Sequence, residues 1–491
     1  MLAAGAALGG AELLAGALGA LTSPIELIGD RVIDGVPPVV KDAAIAAFGT
    51  ADKLALQAGT VVIALLVGAG LGVLARRVWT AAALGFVAAG VLGIAAAAAS
   101  PRASLVLVAI VIGVGVAVGL TVLRRLLAPG ASAPGTDGGS RRQLLVAAVV
   151  GVGALGAGVA GRWLLQRDGV DAARTAVALP DVSASTVSPA RIGLDVEGVS
   201  RLFTPNDRFY RIDTALRVPQ IDPASWQLRV TGLVDRELTL RFDELRRRAT
   251  EEADITIACV SNEVGGQLVG NARWQGVALR DLLDQAGVRP QATQVVGRSV
   301  DGFTAAFPVA AGTDDRASLV ALGMNGEPLP VEHGFPARLV VPGLYGYVSA
   351  TKWLAEIELV TDAFEGYWVP RGWAKRAPIK TQSRIDVPAP RSRVVAGRVP
   401  VAGVAWAPTR GISAVGVRVD DGPWRGARLG PNVGDDSWRQ WVLAWDATPG
   451  SHRLHVRATD GTGQTQTEQP APPRPDGATG YHTVAVGVDD A

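Results

Sequence analysis

Ile255-Thr-Ile-Ala-Cys-Val-Ser-Asn-Glu-Val-Gly-Gly266 is the stretch from which the polar half of the chain is read. Ile255 and Ile257 alternate with Thr256 and Ala258, the period of a strand with one buried face. Gly265 and Gly266 then end the pattern in a glycine-rich turn. Cys259 therefore stands where a strand gives way to a loop, a place where rigid backbone commonly presents chemistry. It is the one cysteine among 491 residues, which excludes an intrachain disulfide and any all-cysteine zinc or iron–sulfur site. By residue type alone, a single cysteine is more often a small buried hydrophobe than a ligand.

Toward the N-terminus the texture changes. Lys and Arg total 47 against 45 Asp and Glu, only 19% of residues are charged, and the mean hydropathy is +0.26. Near-neutral charge without a basic cluster excludes a nucleic-acid binder. Before residue 170 the chain is rich in Ala, Gly, Val and Leu; after it come 10 of the 12 Trp, all four His and the cysteine. A membrane part followed by a globular part is expected, and a purely soluble protein is excluded. Five stretches have the length and apolarity of spans: Met1–Leu21, Leu54–Ala75, Val78–Ala99, Ala103–Leu123 and Leu144–Gly161. The first carries Glu12 and lacks the charged start and cleavage site of a secretory signal peptide. Arg76–Arg77, Arg124–Arg125 and Arg141–Arg142 all fall on the cytoplasmic side if the N-terminus is inside. The Ser23–Lys53 loop and everything after Gly161 then lie outside the cytoplasm, with Arg31, Lys41, Lys53 and Arg102 as exceptions to the rule. Gly151-Val-Gly-Ala-Leu-Gly156 matches GxGxxG, but no strand precedes it, so close helix packing is the expected role. Ser140-Arg-Arg-Gln-Leu-Leu145 resembles a twin-arginine export signal.

Beyond the spans, Ala128–Ser140 reads as a flexible connector, and Asp168–Gly198 as a polar, irregular tether. Trp226–Val230 has a strand pattern, and Leu279–Ala286 a helix pattern that stops at Gly287. Such a mixture without a βαβ rhythm suggests an α+β domain. After about residue 390, short alternating strands at Val415–Val419, Trp438–Trp445, Leu454–Ala458 and Thr483–Val488 predict a β-sandwich. His452 and His455 lie three apart on a strand and so point to opposite faces, which argues against a metal site. The organisation expected is a transmembrane bundle at 1–165, a linker at 166–200, an α+β oxidoreductase domain at 201–388 and an immunoglobulin-like β-sandwich at 389–491.

Three further segments follow the cysteine: Asn271-Ala-Arg-Trp-Gln-Gly276, His333-Gly-Phe-Pro-Ala-Arg338 leading to Val341-Pro-Gly343, and Tyr345-Gly-Tyr-Val-Ser-Ala-Thr-Lys-Trp353. In this order they resemble the sulfite oxidase family of molybdopterin enzymes, over about Phe203–Val488. The resemblance implies a molybdenum–molybdopterin cofactor with Cys259 as metal ligand. It carries Asn206, His333, Arg338, Ser349, Thr351 and Lys352 over as cofactor-binding residues; Phe203, Phe209 and Tyr210 lie in the same N-terminal region of pterin contacts. A soft thiolate suits a redox metal, and Arg and Lys suit the phosphate of the pterin. The sandwich would correspond to the family's dimerisation domain, which implies a homodimer.

Departures from the family bear on the substrate. Sulfite oxidases carry two arginines just after the cysteine turn, where Glu263 and Val264 stand here. Their active-site tyrosine corresponds to Trp373, with Tyr367 nearby as a substitute, so Cys259, Tyr367 and Trp373 are the expected catalytic positions. A pocket without the arginine pair should hold sulfite dianion poorly. The expectation is a multi-pass membrane oxidoreductase with its catalytic domain outside the cytoplasm. It would move an oxygen atom to or from a sulfite-like molecule or a small or exposed S- or N-oxide, using a cytochrome or quinone as electron partner. A protein methionine sulfoxide reductase-like enzyme, or a scaffold with a degenerate cofactor domain, are the alternatives.

Overall fold

The computed structural model describes residues 1–18, 23–36, 52–98, 104–128, 138–167, 170–182 and 192–490. They form two compact units, Met1–Gly169 with Thr214–Gln220, and Val170–Asp213 with Ile221–Ala491. The expected connector at 129–137, most of the outer loop at 37–51 and the tether at 183–191 lie outside the described residues, as do the side chains of Arg141 and Arg142.

The first unit is helical: α1 (Leu2–Ala17), α2 (Pro24–Gly35), α3 (Asp52–Ala75), α4 (Trp79–Ala98), α5 (Leu105–Leu127) and α6 (Gly138–Arg167). Among the described residues, four helices, over Ala55–Ala75, Trp79–Ala98, Leu105–Leu127 and Leu145–Leu164, are long and apolar enough to cross a bilayer. The first apolar stretch forms a helix of only 16 residues, short of the length its five-span reading needs. It is nonetheless enclosed, with Ala3, Ala4, Ala6, Ala11 and Ala15 buried and its flanks on α5 and α6. The α1–α6 seam runs backbone to backbone: a Cβ on Gly9 would stand 2.3 Å from the Ala154 carbonyl oxygen, and one on Gly161 2.4 Å from Glu12 backbone. This is the small-residue packing expected of helices in lipid. The GxGxxG match lies inside α6. Helix α2 interrupts the stretch read as an outer loop. Its start is a capping box, Ser23 Oγ accepting from the Ile25 and Glu26 N–H groups while the Glu26 carboxylate accepts from the Ser23 N–H.

The second unit opens with part of the expected tether, and this part is not free. A short helix, α7 (Asp171–Thr175), places Arg174 to donate to the Pro328 and Leu329 carbonyls at 2.8 Å each, and Gln275 Nε2 donates to the Pro180 carbonyl at 2.7 Å. Then comes an α+β body with two sheets. One has the order β2-β1-β10-β5-β6, built from β1 (Gln227–Gly232), β2 (Leu238–Arg241), β5 (Gln294–Ser299), β6 (Thr304–Pro308) and β10 (Leu354–Val360), with β1 and β10 parallel. The other runs β3 (Glu251–Ala258), β4 (Val269–Ala278), β7 (Leu319–Met324), β8 (Glu327–Pro328), with β9 (Arg338–Val340) on β7. Helices α8 (Phe242–Arg247), α9 (Leu279–Ala286), α10 (Ala310–Thr313) and α11 (Gly346–Ser349) complete it. The helix expected at Leu279–Ala286 ends as read, with Gly287 at φ +72° closing it, a conformation glycine takes without steric cost.

The C-terminal part is two facing sheets. One runs β11 (Gln382–Val387), β13 (Gly397–Trp406), β17 (Arg439–Ala447), β16 (Arg428–Leu429); the other β12 (Arg393–Val395), β19 (His482–Asp489), β18 (Gly450–Asp460), β14 (Ile412–Val419), β15 (Arg425–Gly426). Val401, Trp441 and Trp445 from one meet Val417, Val456 and Val486 from the other in a shared core. A second core joins sandwich to body: Ala258 and Val260, either side of the cysteine, pack with Tyr345, Trp406 and Trp438.

Candidate active site

Strand β3 pairs antiparallel with β4 until Ala258 meets Val269, and the Cys259 N–H continues the ladder to the Leu268 carbonyl at 2.9 Å. Between them the chain turns back, with the Asn262 N–H on the Cys259 carbonyl at 3.1 Å and the Asn262 side chain accepting from the Leu268 N–H at 2.8 Å. Gly265 is required here: at φ +79°, a Cβ would lie 2.3 Å from His482 Nε2 of the sandwich. Arg384 also donates to the Gly266 carbonyl at 2.8 Å, so the turn is braced from both sides. Cys259 is buried, with Sγ 2.9 Å from Ser261 Oγ. Burial pushes its thiol up, and the Ser261 hydroxyl and N–H pull the other way.

A set of buried cations converges near this turn. Arg338, at the start of β9, is 5% exposed and lies over the Trp274 ring at 4.9 Å. Its guanidinium donates to backbone carbonyls, His333 at 3.0 Å and Ala350 at 3.5 Å, and among the described residues no carboxylate faces it. Burial lowers its pKa to about 10. Lys352 Nζ sits 2.9 Å from Asp213 and 3.2 Å from the Glu332 carbonyl; burial lowers it to about 8, with Asp213 opposing. His333 Nε2 donates to the Asn206 carbonyl at 3.0 Å, the only direction a carbonyl allows. Burial, with Arg338 and Lys352 adding to it, holds this imidazole down at about 4, so it is neutral. Asn206 is fixed in turn by Asn325 Nδ2 at 2.8 Å. Asn206, His333, Arg338 and Lys352 are thus brought together. Ser349 and Thr351 are buried beside them, but their hydroxyls donate to the Leu344, Tyr345 and Gly297 carbonyls.

The two aromatic positions expected to be catalytic, Tyr367 and Trp373, have different neighbours. Tyr367 packs on Phe303 at 5.8 Å and on Trp368, with the Arg371 guanidinium 3.7 Å above its ring. Trp373 instead packs against the core around Ala258 and Val260, with Tyr347 at 6.0 Å. The Tyr210 and Tyr345 hydroxyls lie within electrostatic reach of Cys259. Burial pushes Tyr210 well up; it takes Tyr345 to about 12, with Asp476 and Cys259 adding to the rise. A sandwich loop reaches the same region: Arg474 donates to the Arg371 and Gly372 carbonyls and faces Trp373, while Lys380 pairs with Asp476 at 3.0 Å. Glu263 is exposed to solvent. Tyr345 stood within a quoted motif, whereas Asp213, Arg474 and Asp476 carried no motif and are distant from Cys259 in sequence.

Known proteins share this architecture. The family profile described as oxidoreductase molybdopterin binding domain matches residues 215–368. Mitochondrial sulfite oxidase of Rattus norvegicus is 30% identical over 321 residues, 55% of this chain and 58% of that protein. The uncharacterized oxidoreductase YuiH of Bacillus subtilis is 37% identical over 158 residues, 32% of this chain and 75% of that protein. The crystal structure of the sulfane dehydrogenase SoxCD from Paracoccus pantotrophus has the same fold, with a TM-score of 0.52 at 24% identity over 66% of this chain and 95% of that one. The chain spans a little over half the length of the mitochondrial sulfite oxidases it matches. With its cysteine turn, its buried cations and these matches together, the chain belongs to the sulfite oxidase family of molybdopterin-dependent oxidoreductases.

The residues fit the cofactor. A buried guanidinium without a carboxylate is costly unless an anion completes it. A pterin phosphate and polar pterin edges would supply what Arg338 lacks, and the buried Cys259 thiol would supply a soft ligand.

Proposed function

We propose that the chain is a membrane-anchored enzyme that reduces a neutral S- or N-oxide by oxygen-atom transfer, with its catalytic unit outside the cytoplasm. In this reading α1 is a fifth span, the sandwich is an immunoglobulin-like dimerisation domain, and the positions 140–145 serve export of the folded unit. When bound, the molybdenum–pterin group supplies two-electron oxygen-atom chemistry. Cys259 Sγ, as thiolate, is its protein ligand. Arg338 and Lys352 hold its anionic end, while neutral His333 and Asn206 fix an edge by hydrogen bonds. Burial keeps Tyr210 and Tyr345 protonated at Oη, so each could hold a proton near the Cys259 thiol. Trp373, Tyr347 and the buried core behind them exclude water from one wall.

The observation that carries a neutral substrate is the commitment of the cations. Arg474 gives donors to two carbonyls, Lys380 is paired with Asp476, and Glu263 and Val264 occupy the arginine-pair positions. Among these described residues, a sulfite dianion finds no uncommitted pair of guanidiniums. The test is turnover by the purified full chain. Methionine sulfoxide, dimethyl sulfoxide and trimethylamine N-oxide are offered with reduced methyl viologen, and sulfite with ferricyanide. Oxide reduction should exceed sulfite oxidation at least about tenfold in kcat/KM, a difference of about 1.4 kcal/mol; the reverse ranking sinks the neutral-substrate reading.

A further inference from the structure

Glu12 of α1 is 2% exposed in an otherwise apolar helix. Ser23 Oγ–H donates to its Oε1 at 2.7 Å, and the Ile25 N–H approaches the same oxygen at 3.4 Å. Its other oxygen, Oε2, is fully enclosed and has no hydrogen-bond partner among the described residues. Glu26, 6% exposed, lies close by, and Arg162 of α6 and Arg217 of the Thr214–Gln220 segment face both carboxyl groups. Gln57, near the start of α3, accepts from Arg162. These groups meet at one end of the helical unit: the second half of α1, the first turns of α2 and α3, and the last turns of α6.

An ionisable side chain buried among spans is costly and is retained for function. Oε1 already accepts from Ser23 and is approached by the Ile25 N–H, whereas Oε2 lacks a donor, so Oε2 is the atom that a ligand hydroxyl would complete. The proposed reduction needs two electrons per turnover. The chain has one cysteine, committed to the metal, and its four histidines all lie beyond residue 330, so the spans hold no pair of haem or cluster ligands. A lipid-soluble carrier of two electrons and two protons, with a hydroxyl to donate, matches both needs.

We infer that the Glu12 cluster binds the head group of a membrane quinol, with a quinol hydroxyl donating to Glu12 Oε2. This rests on the oxide-reduction reading above. The reaction balances: one sulfoxide and one quinol give one sulfide, one quinone and one water. The quinol loses two electrons and two protons, the S–O bond breaks, and its oxygen takes up both protons and leaves as water. Glu12 Oε2 takes the first proton as the quinol hydroxyl is oxidised. The oxygen has no exposed surface, so the head group replaces packing contacts around it on binding.

The test uses the detergent-purified full chain, with menadiol as the quinol and menadione for binding. Equilibrium dialysis of menadione against cofactor-free chain reads the site without turnover. Sulfoxide reduction is then driven in parallel by menadiol and by reduced methyl viologen, which bypasses the site. Glu12→Gln should lower menadiol-driven turnover at least about tenfold, as loss of a general base does, and leave viologen-driven turnover unchanged. Arg162→Gln, which leaves α1 intact, should weaken menadione binding in the same direction. Wild-type chain that binds no menadione, or a Glu12→Gln chain that binds and oxidises the quinol normally, overturns the inference. Absent viologen-driven turnover in the wild type sinks the oxide-reductase reading instead, while dialysis still decides the site.

Discussion

Helix α1 meets α6 with Gly9 and Gly161 at the seam, backbone on backbone, whereas the cysteine strand meets the sandwich through Tyr345, Trp406 and Trp438. The same contrast holds for charge. Glu12 is buried against two arginines yet keeps one oxygen without a donor; Arg338 is buried against carbonyls and an indole face, without a carboxylate. In lipid, apolar side chains gain little by meeting one another, so helices associate through close approach and small residues. In a water-facing unit, large apolar side chains are driven together, and the interior they make is rigid enough to hold a cation ready for an anionic ligand. Glu12 in the first unit and Arg338 in the second are both buried charged groups left incomplete among the described residues, and each is where a ligand is proposed.

The largest expected effect is at the cysteine. Cys259→Ser exchanges a soft ligand for a hard, protonated one, so molybdenum in the purified full chain should fall from about one per chain to below about a tenth. Metal analysis checks this, and full metal content in the variant would remove the active site from the comparison. Arg338→Met comes next. If the guanidinium is there to complete an anionic cofactor, bound pterin should fall about tenfold or more. The melting temperature of cofactor-free chain should hold steady or rise, because an isosteric apolar side chain costs less than an unpaired buried cation. A variant that keeps its pterin, or that unfolds without it, would make Arg338 a structural residue.

A pH effect separates the two units further. His482, behind Gly265, accepts from the Ile385 N–H at 3.0 Å. Burial and Arg384 lower its pKa to about 4, against the pull of Asp386. His333 is lowered to about 4 as well. Between pH 6.5 and 4 the unfolded chain binds protons that the folded histidines refuse, so stability present above pH 6.5 is lost as pH falls through that window. Each contributes on the order of 2 to 3 kcal/mol at most. Melting of cofactor-free chain from pH 7 to 4 should show this loss in the transition of the second unit, with His482→Gln removing roughly half of it. The helical unit has no histidine and should not share the slope.

How much of this was legible depends on how locally each feature is specified. Alternation at Ile255–Ala258 and the glycines after Cys259 were enough to place the cysteine at a strand end, and Gly287 marked the end of α9. The sandwich strands showed by period and turn residues. Helix α2 was missed although Ser23 and Glu26 spell a capping box, because its short length sits between spans and hides in a loop-like composition. Side-chain direction was not legible at all. Ser349 and Thr351 turn their hydroxyls onto carbonyls, and Tyr210 and Tyr345 come within electrostatic reach of the thiol. Arg474 and Asp476 come to the site on a proline-rich loop more than two hundred residues after Cys259, a contact made by the tertiary fold with no local signal.

The smallest effect tests the packing half of the comparison. Gly161 and Gly70 are both glycines of long apolar helices, and composition does not tell them apart. A Cβ on Gly161 would stand 2.4 Å from Glu12 backbone, which cannot yield without parting α1 from α6; around Gly70 nothing lies within 4 Å. Gly161→Ala should therefore destabilise the helical unit by about 1 to 3 kcal/mol, the usual cost of overpacking. Gly70→Ala should be neutral or stabilising by up to about 1 kcal/mol, since alanine restricts the unfolded chain and meets no obstacle. Denaturant titration of the detergent-solubilised chain reads both. Equal effects at the two positions would mean that the α1–α6 seam is not closed by backbone contact, and Glu12 would lose the tight enclosure that leaves its Oε2 without a donor.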